Sequence, residues 1–193
     1  ERGRVGEFLR HYRLLGVQRF FFVDNASTDG TSEFLMRQPD VDLFSTAAPF
    51  DWRRKHGWVD RLISDHDRDR WYLLADADEH VVFAGNPNAC LSDVTAAVAA
   101  KGRSRVRGCL IDMYSQGPVL ATYREPGMSM RDTYPYFDPG GYAEHRNAIL
   151  VSRTGGPRRR VLSKFTPAFE PQLTKYPLFH LRVGEIVANP HYI

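Results

Sequence analysis

Cysteine is scarce in this chain: Cys90 and Cys109 are its only two. A single pair this far apart has neither the spacing of a metal site nor the makings of a disulfide framework, so both are expected to be buried free thiols. That fits a reducing compartment. Long apolar runs are also missing, since none approaches the roughly 20 residues that a membrane-spanning helix needs. There is no charged start followed by an apolar stretch, and hence no visible secretory signal. The chain begins at Glu1 without Met and stops at Ile193 without an obvious cap, so it is expected to be trimmed. Net charge is low, at +3. The expectation is a cytoplasmic domain, peripheral to a membrane or part of a larger protein.

What is present is the composition of a globular protein. The 193 residues, 42% hydrophobic and 25% charged, fit one domain with a sizeable core. Basic residues cluster at Arg53-Arg54-Lys55, Arg103 to Arg107 and Arg158-Arg159-Arg160, patterns that attract phosphate groups or an anionic surface. No recognition helix, zinc finger or RNA-binding signature accompanies them, so nucleic acid is not an expected partner.

Val5, Phe8, Leu9, Tyr12 and Leu15 recur at the spacing of one helical face, and Gly16 is the expected stop. The unbroken run Phe20-Phe21-Phe22-Val23 predicts a strand buried on both faces. A polar turn over 25–30 follows, with Ser27 or Thr28 as the expected cap of a helix reaching Arg37. A strand over 41–44, a helix over 52–65, a strand over 71–75, an extended piece over 80–83, a helix over 91–100 and a strand over 105–113 complete the first part. From Gly117 to Tyr142 the sequence lacks periodicity and predicts long loops with short strands; Lys175 to Ile193 holds two extended apolar pieces. No repeat and no linker divides the chain. Alternating strands and helices predict an α/β fold with a mostly parallel sheet, whose ligand loops leave the carboxyl ends of the strands. Asp24 and Asp76 both fall there and are expected to converge on one sheet edge.

Asp76 and Asp78 bracket Ala77 directly after an apolar strand, with Glu79 next. In an extended segment, residues two apart share a side, so both carboxylates can face one cation. Hard divalent cations, Mn²⁺ or Mg²⁺, take oxygen ligands and share them with substrate phosphates. Asp24-Asn25-Ala26-Ser27-Thr28-Asp29-Gly30-Thr31 offers acceptors suited to the N–H and O–H groups of a nucleoside.

These blocks carry a resemblance. Val23 to Thr31, VDNASTDGT, resembles the nucleotide loop of family 2 glycosyltransferases with the GT-A fold. Glu7 to Gly16, EFLRHYRLLG, is similar to the helix before that loop in one subgroup, and Leu74 to Val82, LADADEHVV, to that subgroup's D-x-D-E strand. Gly155-Gly156-Pro157-Arg158 and Lys175-Tyr176-Pro177-Leu178 resemble its later blocks. The resemblance implies a GT-A, Rossmann-like three-layer sandwich around a mostly parallel central sheet, its first strand missing here and Glu1 at the end of that strand's loop. It implies transfer of a sugar from a nucleoside-diphosphate sugar to a glycan, lipid-linked or other hydroxyl acceptor, with inversion. Asp24, Asn25 and Asp29 would line the nucleotide pocket, Asp76 the ribose and metal, and Asp78 the metal. Asn25 stands where the commoner motif has a second Asp. A late His in such enzymes often completes the metal site; His191 is the first candidate and His180, inside Leu178-Phe179-His180-Leu181, is expected to be structural.

An inverting transfer needs a general base for the acceptor hydroxyl. Asp112 is the first choice, with Asp138 and Glu144 as rivals. Arg158, with Arg159, Arg160, Lys164 and Lys175, is expected to clamp the diphosphate. Tyr114, Tyr134, Tyr136, Tyr142, Trp52 and Trp58 are candidate platforms for sugar rings. Two other functions share these features: a metal-dependent nucleotidyltransferase, and a non-catalytic module that binds sugar or nucleotide.

Overall fold

In the computed structural model, residues 2–66, 68–118, 127–146 and 151–185 of the chain are described. They form two compact units. Of these residues, 2–66, 68–106 and 177–185 belong to the first, and 107–118, 127–146 and 151–176 to the second.

The first unit opens with α1 (Arg2–Leu14), which buries Val5, Phe8, Leu9 and Tyr12 on one face. Gly16, at φ 90°, turns the chain out of the helix, in the left-handed conformation that glycine adopts at least cost. Then come β1 (Phe20–Asp24), α2 (Thr31–Met36) and β2 (Val41–Ser45). β1 and β2 pair in parallel, Phe20 opposite Val41 and Asp24 opposite Ser45. α3 (Trp52–Ser64) is capped by the Asp51 side chain, which accepts from the Arg53 N–H at 2.8 Å. β3 (Arg70–Leu73) and α4 (Leu91–Ala99) follow, and β4 (Arg105–Cys109) begins in this unit and ends in the second. The core gathers the α1 face with Phe20, Leu35, Leu91 and Leu178, and packs Phe22, Trp71, Leu73 and Ala75 against it.

The second unit holds β5 (Met113–Tyr114), α5 (Met130–Thr133), β6 (Tyr136–Phe137), β7 (Ala143–Arg146), β8 (Val151–Thr154) and α6 (Gly156–Leu162). β5 pairs antiparallel with β6, and β7 with β8. β9 (Thr174–Leu181) carries the chain back into the first unit.

The expected three-layer sandwich with a mostly parallel central sheet is not what forms. Among the described residues the one parallel pairing is β1 with β2; the three-stranded sheet runs β3–β9–β4, and β9 lies antiparallel to β3. Strands alternating with helices are expected to lie parallel in one sheet. Instead β3 takes its partner from more than a hundred residues away, Trp71 opposite His180 and Leu73 opposite Leu178. Asp24 and Asp76 therefore do not leave the edge of a single sheet. The strand expected over 105–113 stops at Cys109, where Leu110 donates to the Leu173 carbonyl at 2.7 Å. The piece over 80–83 is irregular rather than a strand. Cys90 and Cys109 are free but half-buried rather than buried. Among the described residues no helix is long and apolar enough to cross a membrane.

Candidate functional site

The loop after β1 is built from its own polar side chains. Asp24 is only 7% exposed, and its Oδ2 accepts from the Ser27 N–H at 3.3 Å. Burial works against its charge, but hydrogen bonds from Ser27 and Ser32 outweigh it and hold the carboxyl below its ordinary range. Asp29 rather than Ser27 or Thr28 organises the start of α2: its Oδ1 accepts from the Thr31 N–H at 3.2 Å and the Thr31 hydroxyl at 2.5 Å. Gly30, at φ 80°, provides the left-handed step between them.

Asn25 explains itself by geometry. Its Nδ2 donates to the carbonyls of Thr46, at 3.0 Å, and Ala48, at 2.9 Å, so it fastens the loop after β1 to the loop after β2. A carboxylate has no proton for either bond, which is why the aspartate of the commoner motif does not fit here. The second loop continues into α3, where Arg54 Nη1 donates back to the Pro49 carbonyl at 2.7 Å. The next residue, Lys55, forms an ion pair with Asp76 in the loop after β3. Three strand-end loops are thus tied together through named bonds. Lys55 is the residue that sequence reasoning placed only within a basic cluster; the signal that finds it, one helical turn past the Asp51 cap, points to no particular carboxylate.

Asp76 to Glu79 is a turn and not an extended segment: the Glu79 N–H donates to the Asp76 carbonyl at 2.9 Å, and the Asp76 N–H donates to Glu79 Oε2 at 3.2 Å. Alternation therefore does not set the directions of Asp76 and Asp78. Asp78 is exposed at the tip of the turn and has no hydrogen bond or ion pair among the described residues. The turn is anchored from below by Tyr12, whose buried hydroxyl donates to the Glu79 carbonyl at 2.9 Å and accepts from the Val81 N–H at 3.2 Å. Burial pushes that phenol up well beyond its ordinary range. Beside it the His11 ring stacks on His80 at 4.5 Å, and His11 Nε2 meets the Val81 carbonyl at 3.0 Å. Burial lowers the pKa of His11, favouring the neutral ring.

In the second unit the two residues assigned to base and clamp meet each other. Arg158 Nε donates to Asp112 Oδ2 at 2.7 Å. Asp138 accepts from Arg160 Nε at 3.0 Å and Nη2 at 3.1 Å, and from the Tyr114 hydroxyl at 2.9 Å; Arg160, then Tyr114, hold its carboxyl below the ordinary range. Glu144 lies among Arg146, Arg153 and Arg107, with Arg146 depressing its carboxyl most. The arginines around them favour the charged form of both carboxylates. Lys175 is buried. A Gly-Gly turn precedes α6, and Gly155, at φ 128°, is required there because a Cβ would lie 2.4 Å from the Gly141 carbonyl oxygen.

Among the described residues no group of three or more His, Cys, Asp and Glu side chains is placed to hold a metal ion. His180 lies in β9 with its ring 5.5 Å from that of Trp71, a packed position; His191 lies outside the described residues. Compared with models of known protein families, with curated proteins and with solved structures, the chain matches none.

Proposed function

We propose that the chain transfers a sugar from a nucleoside-diphosphate sugar to a hydroxyl acceptor. The observation that carries the reading is the tie between the loops after β1, β2 and β3 through Asn25, Arg54 and the Lys55–Asp76 pair. Asp24 would accept from the nucleoside, its charge kept by the Ser27 and Ser32 bonds. Asp76 and Asp78 would hold Mn²⁺ or Mg²⁺, which when bound neutralises charge on the departing diphosphate. Lys55, an ammonium beside Asp76, would give a hydrogen bond to a phosphate oxygen.

Asp78→Ala tests the reading. It should weaken Mn²⁺-dependent binding of UDP-, GDP- or dTDP-sugars by at least about tenfold, with the unfolding temperature unchanged because the side chain is exposed. Calorimetry that finds the same metal-dependent affinity in the variant overturns the site. Release of pyrophosphate from a nucleoside triphosphate, instead of nucleoside diphosphate from a sugar donor, assigns the chemistry to nucleotidyl transfer.

A further inference from the structure

Large aromatic side chains in the first unit mostly turn inward, but the segment from Phe50 to Arg54 does the opposite. Phe50 is 68% exposed and Trp52 57%. They flank Asp51, whose carboxylate is engaged as the cap of α3. Arg53 and Arg54 come next, both exposed, and neither guanidinium meets a carboxylate among the described residues. Arg53 lies over the Trp52 ring, 5.1 Å from its centroid, and Arg54 is spent on a carbonyl. Three other arginines of the unit do meet carboxylates: Arg13 pairs with Asp40, Arg19 with Asp42 and Arg61 with Asp65. α3 has no fully buried residue along its length.

Two bulky rings in water are unfavourable, and two arginines without counter-ions beside them call for an anion. A surface that satisfies both presents phosphates at one level and hydrocarbon just beneath. Aromatic rings settle at the boundary between lipid headgroups and acyl chains, while basic side chains stay with anionic phosphates. Single-stranded nucleic acid also stacks on aromatics, but it needs a basic groove that follows its backbone; here the charge is concentrated at one spot beside the rings.

We propose that Phe50, Trp52, Arg53 and Arg54 dock the first unit on a membrane carrying anionic headgroups. The same loop supplies the Thr46 and Ala48 carbonyls that hold Asn25, so on the functional reading above docking brings the donor loop to an acceptor borne by lipid. The docking itself does not depend on that reading.

The test uses the whole 193-residue chain, without nucleotide or metal, so that its outcome is independent of donor binding. Sucrose-loaded vesicles of phosphatidylcholine alone, or mixed with phosphatidylglycerol, are sedimented with the protein. The expected result is pelleting with the anionic vesicles only, weakened by salt. The double variants Phe50→Ser/Trp52→Ser and Arg53→Glu/Arg54→Glu should each lower the bound fraction's affinity by about tenfold or more, with circular dichroism and unfolding temperature unchanged. Arg10→Glu, at an exposed position on α1, should leave binding within about twofold. Equal pelleting with neutral vesicles, no pelleting, or Arg10→Glu matching the Arg53/Arg54 variant would overturn the proposal, as would full binding by the Phe50/Trp52 variant.

Discussion

In the first unit α1 lays Val5, Phe8, Leu9 and Tyr12 over the strands, with Leu35, Leu91 and Leu178 completing a buried apolar cluster. In the second unit Leu173 is fully buried, and there Arg158 meets Asp112, Arg160 meets Asp138, and three arginines surround Glu144. The difference teaches where each unit keeps its stability. Apolar burial is insensitive to salt and only weakly sensitive to pH, whereas exposed ion pairs are sensitive to both. It also separates the acidic residues: Asp24 is held by Ser27 and Ser32 and Asp76 meets Lys55, whereas Asp112, Asp138 and Glu144 meet arginine.

Leu9→Ala is the sharpest way to break the comparison. Leu9 is 1% exposed, and its truncation should cost about 3 kcal/mol through lost burial and the cavity left behind. Denaturant unfolding measures the loss, and residue-resolved hydrogen exchange should show it in amides of α1 and β1. Gly155→Ala is the counterpart in the second unit. The Cβ would sit 2.4 Å from the Gly141 oxygen and 2.9 Å from Tyr142 Cα, so the backbone must shift, at a cost of about 2 kcal/mol. Exchange should then rise around β7, β8 and α6; a rise confined to β1 and α1 would contradict the division.

The smallest effect is electrostatic. The carboxyls of Asp138 and Glu144 are depressed by their arginines, so these groups contribute stability above the ordinary carboxylate pKa of roughly 4. That contribution is lost as pH falls through the lowered folded values. Asp24 is depressed as well, but by Ser27 and Ser32. Acid should therefore loosen both units, while added salt at neutral pH should raise exchange more in the second unit than in the first, where the pairs Arg13–Asp40, Arg19–Asp42 and Arg61–Asp65 accompany a buried apolar core. Equal salt response in the two would remove the distinction.

Local features were legible because their causes are local. The spacing of Val5, Phe8, Leu9 and Tyr12 marks the buried face of α1, the Phe20 to Val23 run marks β1, and α3 begins at the expected Trp52. What escaped depends on distant partners. The antiparallel match of Trp71 with His180 joins segments that no periodicity links, and it undid the expected sheet. At the candidate site, the D-x-D-E segment was visible, but its turn geometry was not, since that follows from two short hydrogen bonds between Asp76 and Glu79. Nor does any pattern reveal that Asn25 spends its amide on Thr46 and Ala48, or that Asp112 and Arg158 pair with each other.

The Tyr12 hydroxyl holds both the Glu79 carbonyl and the Val81 N–H. It makes the acidic turn a dependent of a helix almost seventy residues upstream. A chain cut at Gly16 would lose more than a layer of packing: the turn bearing Asp76 and Asp78 would lose its foundation, and damage at the amino-terminal helix would register as damage to the site.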